Sequence, residues 1–222
     1  MKEQIRELLF SYGADLCGFA SIDRFANAPL GFNPADIYLD CKTVIVFAFA
    51  LPKGLAHVDP RLIYGHFNYL YCSEMDIIAY KAAKKIEEVY NCAAIPIPCD
   101  GPYEYWDEEN REGRGLLSLR HAAVQAGLGS LGKNTLFLSK RYGNMVNLSA
   151  ILTNLELPPD TISEEICIPS CNKCLEACPV KAIDNGKVNQ KLCRENTYGK
   201  TKRGFNTVDC NKCRTACPLN AV

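Results

Sequence analysis

Eight cysteines in the last quarter of the chain are the residues with the clearest chemistry. They form two successive groups, each ending in a Cys-Pro pair: Cys167, Cys171, Cys174 and Cys178, then Cys193, Cys210, Cys213 and Cys217. Thiolates at this density are ligands of metal ions or iron–sulfur clusters. The other cysteines are scattered and are predicted to be small buried side chains: Cys17, Cys41, Cys72, Cys92 and Cys99.

The last three cysteines of each group have the spacing C-x-x-C-x-x-x-C-P. This run binds four-iron clusters in bacterial ferredoxins, where the fourth cysteine ligates the other cluster of the pair. The spacing therefore predicts two 4Fe-4S clusters with exchanged ligands. We call the predicted ligands of the first cluster set I (Cys167, Cys171, Cys174 and Cys217) and those of the second set II (Cys178, Cys193, Cys210 and Cys213).

Two departures from the ferredoxin pattern leave an alternative open. Cys167 and Cys171 are separated by three residues instead of two, and Cys193 lies 17 residues before Cys210, so the second cluster depends on a remote ligand. Sites of four cysteines that use C-x-x-C pairs also bind zinc. The two C-x-x-x-C-P endings favour iron–sulfur clusters over zinc.

The composition is that of a globular protein without an overall charge. Hydrophobic residues make up 48% of the chain, and its 25 basic and 25 acidic side chains cancel. Nothing global therefore attracts nucleic acid or an anionic membrane. The charged N-terminus and the short apolar runs predict a cytoplasmic protein without a leader or a membrane span. In that reducing compartment, metal ligands and free thiols are expected instead of disulfides.

Apolar patterning predicts a mixed α/β chain. Helices are expected at residues 2–12, 74–91 and 116–127, the second with a capping box formed by Ser73 and Asp76. Strands are expected at residues 17–22, 43–52, 93–98, 135–139 and 146–153; the third contains two prolines and should lie at a sheet edge. Residues 99–115 read as a long loop and residues 155–165 as a linker.

These elements predict an α/β or α+β sandwich domain at residues 1–157, followed by a ferredoxin-like two-cluster module at residues 158–222.

The segment 127–134, the glycine segment below, contains the spacing of two phosphate-binding motifs. Gly127, Gly129 and Gly132 spell G-x-G-x-x-G, and Lys133 completes G-x-x-x-x-G-K. Both motifs need a strand before the glycines and a helix after them, whereas here a helical stretch precedes and a strand-like one follows. Two interpretations stay open. The glycines let the backbone approach a flat or bulky ligand, with Lys133 and Asn134 adding polar groups, or they form a tight packed turn.

The sequence resembles the epoxyqueuosine reductases, iron–sulfur enzymes that share a catalytic core with corrinoid reductive dehalogenases. The resemblance is carried by A-G-L-G-S-L-G-K-N-T at residues 126–135 and by the two cysteine runs. It implies a nitroreductase-like α/β domain that holds a corrinoid such as cobalamin beside two 4Fe-4S clusters. By position, it implies a cofactor pocket lined by Gly127, Gly129, Gly132, Lys133 and Asn134. Reduced ferredoxin or flavodoxin is the expected electron donor.

Departures from the family pattern change the expected substrate. The sequence ends five residues after Cys217, so we expect a short form without the C-terminal helical repeats that help epoxyqueuosine reductases hold tRNA. The acidic residue expected shortly before the glycine segment has no clear counterpart. The expected substrate is therefore a small molecule and not tRNA.

A reductase also needs a proton donor, and His121 and Asp100 are the candidates near the glycine segment. A lone helical histidine could equally be a packed residue. Tyr103, Tyr105 and Trp106 could cover a planar cofactor or could anchor their own loop. Two functions stay open: an iron–sulfur oxidoreductase that acts on a bound cofactor or substrate, and a ferredoxin-type electron-transfer or corrinoid-reactivating partner protein.

Overall fold

The computed structural model describes residues 1–184 and 186–220. Its helices are Lys2–Ser11 (α1), Pro34–Ile37 (α2), Arg61–Tyr90 (α3), Leu119–Gln125 (α4), Lys173–Glu176 (α5), Gln190–Thr197 (α6) and Lys212–Thr215 (α7). Its strands are Leu16–Ser21 (β1), Thr43–Ala50 (β2), Ala94–Ile97 (β3), Tyr105–Asp107 (β4), Glu112–Arg114 (β5), Gly129–Leu131 (β6), Phe137–Ser139 (β7), Val146–Thr153 (β8), Ile183–Asp184 (β9), Lys187–Val188 (β10), Tyr198–Lys200 (β11) and Asn206–Val208 (β12).

A four-stranded antiparallel sheet in the order β1-β2-β8-β3 forms the centre of the fold. Strand β2 is buried along its length except at Ala50, as its continuous apolar sequence predicts. Strand β3 lies at the edge of the sheet. An edge strand has no neighbour on its open side to accept a backbone hydrogen bond, so Pro96, which lacks an N–H, can be accommodated there. The predicted strands and the edge position are therefore confirmed.

Helices cover both faces of this sheet. On one face, Ile5 and Leu9 of α1 and Met75 of α3 pack against Ile45 and Phe47 of β2. On the other face, α4 packs against the alternate residues of β2 through a group of buried alanines: Ala122, Ala123 and the adjoining Ala126. The fold is thus a mixed α/β structure in three layers. In the described residues, no helix is both long enough and apolar enough to cross a membrane.

Helix α3 begins at Arg61 and not near residue 74, so the predicted capping box is wrong. Ser73 lies inside the helix, where its hydroxyl donates to the carbonyl oxygen of Tyr69 (3.3 Å). Asp76 instead accepts a hydrogen bond from the backbone N–H of Cys99 (2.7 Å). The first turns of α3 are held by Tyr64, which is buried in a small separate cluster. Tertiary packing thus extends the helix beyond its periodic stretch.

The predicted loop at residues 99–115 contains a hairpin. Strands β4 and β5 pair antiparallel, with Trp106 opposite Gly113. The strands have three residues each and are polar, so no alternation of apolar residues marked them.

The cysteine-rich segment joins the sheet domain through many polar contacts. The guanidinium of Arg214 donates to the carbonyl oxygen of Asn144, and the backbone N–H of Asn144 donates to the side chain of Asn220 (3.1 Å). The backbone N–H of Ile166 donates to the hydroxyl of Ser130 (2.9 Å). The predicted boundary at residues 157 and 158, like the ferredoxin-like character of the module, stays a prediction.

Asp160 ties the linker to the first helix and strand. Its carboxylate accepts from Lys2 (2.6 Å), from Arg6 (3.0 Å) and from the backbone N–H of Phe19 (3.1 Å). Burial raises the pKa of Asp160, but the hydrogen bonds from Lys2 and Arg6 outweigh it, and the net pKa is lowered. The carboxylate is therefore the form that stabilises the fold.

We expect Asp160→Asn to lower the free energy of unfolding by about 1–2 kcal/mol at pH 7, because charge-assisted hydrogen bonds are replaced by weaker ones. A depressed carboxyl pKa stabilises above the unfolded pKa of about 3.9 and ceases to do so as the pH falls through the folded value. Urea denaturation at pH 7 and at acidic pH checks this. A difference between the two proteins that stays constant down to low pH contradicts the electrostatic explanation.

Candidate active site

The structure places cysteines of the two runs beside one another. Burial, and then the neighbouring thiols of Cys167 and Cys217, raise the pKa of Cys174. Burial and the thiols of Cys167 and Cys171 likewise raise the pKa of Cys217, so set I is contiguous although Cys217 comes from the second run.

In set II, too, a cysteine of the first run lies beside cysteines of the second. Burial raises the pKa of Cys213 to about 11, and Cys193, Cys210 and Cys178 contribute in that order of size among the thiols. The remote residue Cys193 and the first-run residue Cys178 therefore both lie beside Cys213. All thirteen cysteines are free thiols.

The thiols of each set do not meet at a point. In residues 1–184 and 186–220, no three His, Cys, Asp or Glu side chains converge where a single metal ion could bind. A four-iron cluster is ligated at separate corners, so its thiolates need not converge. The donor set therefore fits such clusters, and the ligand roles themselves stay a prediction.

Short helices present the set II thiols. Asn189 caps the start of α6 by accepting from the backbone N–H of Leu192 (3.0 Å), and this helix carries Cys193. The backbone N–H of Ala182 donates to the sulfur of Cys178 (3.2 Å). This hydrogen bond fixes the position of the Cys178 sulfur relative to the following turn.

A cavity of about 1730 Å³ lies between the sheet domain and the cysteine segment. All four thiols of set II line it, whereas none of set I does. The volume exceeds the roughly 300–1,000 Å³ of ordinary small-molecule sites. The cavity is therefore large enough for a bulky cofactor together with a substrate.

Three buried polar side chains on the cavity wall lack hydrogen-bond partners in the part of the chain that the structure describes. They are Asn144, through both its amide nitrogen and its oxygen, Thr207 and Asn211. Asn144 is only 1% exposed. Buried polar groups are costly when unpaired, so these three side chains are candidates for hydrogen bonds to a bound group.

The glycine segment contributes one residue to the cavity wall. Asn134 lines the cavity, and its amide donates to the carbonyl oxygen of Cys213 (3.0 Å). The glycines are required by close packing instead: a Cβ at Gly127 would overlap the carbonyl oxygen of Thr161, and one at Gly129 that of Leu138. The interpretation as a tight packed turn therefore describes the glycines, and Gly132 follows it by packing against Asn134.

Lys133 points to the loop that carries set I. Its ammonium donates to the carbonyl oxygens of Pro169 (2.6 Å) and Cys171 (3.0 Å) and to the side chain of Asn172 (3.0 Å). It is not among the residues that line the cavity. Adjacent residues of one turn thus reach the two cysteine sets, Lys133 towards set I and Asn134 towards set II.

Asp100 and His121, the predicted proton donors, both line the cavity. Burial raises the pKa of Asp100; Arg194 opposes this shift and Asp76 adds to it. Burial, and then the charge of Arg120, lower the pKa of His121, whose Nδ1 lies 2.7 Å from the hydroxyl of Ser118. Near neutral pH the shifts favour the neutral form of His121 and bring Asp100 closer to its protonated form.

The aromatic residues of the 99–115 segment anchor it to α6. The rings of Tyr103 and Trp106 stack 6.0 Å apart, and the guanidinium of Arg194 lies 5.2 Å from each ring centroid. Burial raises the pKa of Tyr198, on the same wall, to about 12. Sequence reasoning did not find Arg194 or Tyr198, because no motif connects residues near 100 with residues near 194.

The fold is shared with solved reductase structures. An epoxyqueuosine reductase from Streptococcus thermophilus has a TM-score of 0.70 at 21% identity, over 100% of this chain and 66% of that chain. A catabolic reductive dehalogenase in complex with 3-bromo-4-hydroxybenzoic acid has a TM-score of 0.72 at 17% identity, over 99% and 32%. At these identities the likeness defines the fold, a mixed α/β fold found in both groups of reductases.

Sequence similarity relates the chain to one of these two groups of reductases in particular. The epoxyqueuosine reductase of Bacillus subtilis (strain 168) is 39% identical over 228 residues, which cover 87% of this chain and 54% of that protein. No protein-family model matches the chain. The chain is related to the epoxyqueuosine reductases, as the sequence predicted, and it spans about half the length of the curated relatives that it matches.

Proposed function

We propose that the chain is an iron–sulfur reductase in which two 4Fe-4S clusters pass electrons to a cofactor or substrate in the cavity. The observation that carries the proposal is the position of set II, whose four thiols line the cavity, whereas none of the thiols of set I does. Electrons then enter at set I and leave from set II. Reduced ferredoxin or flavodoxin is the proposed donor.

The glycine segment couples the two cysteine sets to the sheet domain. Lys133 donates hydrogen bonds to the loop that carries Cys171 of set I, while Asn134 donates one to the backbone at Cys213 of set II. Because both residues belong to the turn between β6 and β7, the two sets keep a constant separation. A relay between clusters depends on such a fixed separation.

Cobalamin is the proposed cofactor. The cavity volume of about 1730 Å³ fits a corrinoid, and the unpaired groups of Asn144, Thr207 and Asn211 offer donors and acceptors for its polar periphery. A bound corrinoid supplies a strongly reducing cobalt centre. The role of the protein is to orient that group against set II and to hold a proton nearby.

Asp100 is the proposed proton donor in preference to His121. Burial raises the pKa of Asp100, so a carboxylic acid persists at a higher pH than usual, whereas the pKa of His121 is lowered. An acid with a raised pKa is the form that can donate a proton near neutrality. His121 would then serve as a neutral hydrogen-bonding residue of the wall.

The proposed substrate is a small molecule bound in the cavity. One solved relative, 22% identical, is an epoxyqueuosine reductase with a tRNA-Tyr stem loop. The relatives are about twice as long as this chain, so tRNA binding does not transfer by similarity. A cytoplasmic location is part of the proposal, since the clusters need reducing conditions.

Anaerobic purification followed by metal analysis tests the proposed function. We expect about eight irons and eight sulfides per chain, and a change in the visible spectrum when cobalamin is added. Intact clusters without any cobalamin uptake would favour the alternative, an electron-transfer partner protein. Zinc with little iron contradicts both.

We expect Asp100→Asn to stabilise the protein slightly at neutral pH, by no more than about 0.5 kcal/mol because the residue is exposed, at the cost of proton delivery. The folded pKa of Asp100 is raised, so ionisation destabilises the fold at a pH above that value and has no effect below the unfolded pKa of about 3.9. The gain should therefore disappear as the medium becomes acidic. Thermal denaturation between pH 3 and pH 8 checks it, and a neutral-pH loss of stability contradicts it.

A further inference from the structure

We propose that the substrate of the cavity carries an anionic group, a carboxylate or a phosphate, and that Arg120 binds this group. The proposal names the substrate class of the proposed reductase and rests on it for the identity of the cavity as the substrate site. It is carried by the distribution of charge around the cavity and by the contacts of one arginine.

Apart from the thiols of set II, the charged side chains of the cavity wall are mainly basic, in a protein without net charge. The chain has 25 basic and 25 acidic side chains, yet the wall includes seven of the former and only Asp100 of the latter. The basic residues are Arg24, Arg111, Arg114, Arg120, Arg194, Lys200 and Arg214. Low-dielectric walls lined by one sign of charge concentrate ligands of the opposite sign.

Few of these cations are neutralised by the protein. Arg114 pairs with Glu112 (2.7 Å), and it is the only one of the seven in a salt bridge within the described residues. Arg24 donates to the carbonyl oxygen of Gln125 (2.5 Å), and Arg214 to that of Asn144. Neutral acceptors orient a guanidinium without cancelling its charge.

Arg120 is the cation best placed to bind an anion beside the reducing centre. One of its amino groups donates to the carbonyl oxygen (2.6 Å) and hydroxyl (3.0 Å) of Thr135. Thr135 follows Asn134, which is bonded to Cys213 of set II. The other N–H groups of Arg120 have no partner in the part of the chain described here.

Arg120 keeps an exposed side chain on the cavity wall, so its charge is accessible to an incoming ligand. Its planar fork can accept a carboxylate or phosphate through two parallel hydrogen bonds. Apolar side chains complete the wall and can contact the body of the ligand: Phe25, Leu117, Phe137 and Leu148. The geometry fits an organic acid or a phosphate ester.

Titration calorimetry on the anaerobic holoprotein with matched probes tests the proposal. The probes are 2-naphthoate, 1-naphthyl phosphate and the neutral 2-naphthamide. We expect at least one anion to bind about tenfold or more tightly than the amide, and Arg120→Gln to remove that preference, as loss of a charge-assisted pair predicts. Arg120→Lys should retain part of it. Arg141→Gln, which removes a charge outside the cavity wall, is the matched control and should leave it unchanged.

The outcomes separate this proposal from the proposed function. Two results obtained with normal iron and sulfide content overturn the anionic substrate without bearing on the proposed function. In one, no anion binds more tightly than the amide. In the other, the preference for the anion survives in Arg120→Gln. Missing clusters overturn the proposed function whatever the probes do. Cobalamin and cobinamide, which lacks the nucleotide phosphate, identify the source of the anion. If Arg120→Gln weakens cobalamin binding but not cobinamide binding, Arg120 serves the cofactor, and the substrate assignment is wrong.

Discussion

Cys193→Ala should remove about half of the iron and leave a folded protein that keeps one cluster. Cys193 is the predicted ligand of set II that lies outside the two C-x-x-C-x-x-x-C-P runs, and α6 presents it beside Cys213. Because set II lines the cavity and set I does not, the cluster lost is the one proposed to face the substrate. Reduction of a cavity-bound acceptor should therefore stop, although the remaining cluster can still be reduced by dithionite.

Iron and sulfide analysis with electron paramagnetic resonance of the reduced protein provides the measurement. Cys72→Ala is the matched control, because Cys72 also lines the cavity but belongs to neither set. It should retain all the iron. Cys171→Ala should also lose about half of the iron, with the signal of the other cluster remaining. Full iron retention in Cys193→Ala would show that the remote ligand is misassigned.

The sequence could predict an exchanged pairing of the cysteines because ligand spacing is a local property, and the pairing itself stays a prediction. Three thiols on one turn and a fourth before a proline define which thiols can reach the same cluster. Cys193 lacked this local support, and only its place on α6 brings it to Cys213. The sheet was equally accessible, since continuous β-branched runs such as β2 have few alternatives to a buried strand.

The residues of the cavity wall could not be predicted from the sequence. Arg120, Arg194 and Tyr198 come from separate elements and are brought to the wall of one cavity only by the tertiary fold. Neither spacing nor composition records such a meeting, and the neutral total charge concealed the basic wall. The start of α3 was missed for a related reason, because burial of Tyr64 in a tertiary cluster, and not helical periodicity, supports it.

The glycine segment fits the interpretation as a tight packed turn. Its glycines are required by close packing, as at Gly127, where a positive φ of 75° and the neighbouring Thr161 carbonyl both exclude a side chain. Its last two residues bond the cysteine loops, Lys133 at Cys171 and Asn134 at Cys213, and a role in cofactor binding stays a prediction. The packed turn is what positions these polar side chains.

Gly129→Ala should consequently be the most destabilising single-methyl change in this region, lowering the free energy of unfolding by about 3 kcal/mol or more. Gly129 pairs with Ser139 across β6 and β7, and an added Cβ would overlap the carbonyl oxygen of Leu138. Backbone atoms cannot rotate away as a side chain can, so the two strands must separate. Urea denaturation monitored by circular dichroism measures the loss.

Gly54→Ala provides the control for the loss of a glycine as such. No atom lies within 4 Å of a Cβ built at Gly54, so its stability should change by no more than about 0.5 kcal/mol. Separation of β6 and β7 in Gly129→Ala should also move Lys133 and Asn134 away from their cysteine loops, and iron content should fall together with stability. If Gly129→Ala unfolds like Gly54→Ala, the close approach of the strands is wrong. If it is destabilised but keeps both clusters, the turn does not hold the cysteine sets in place.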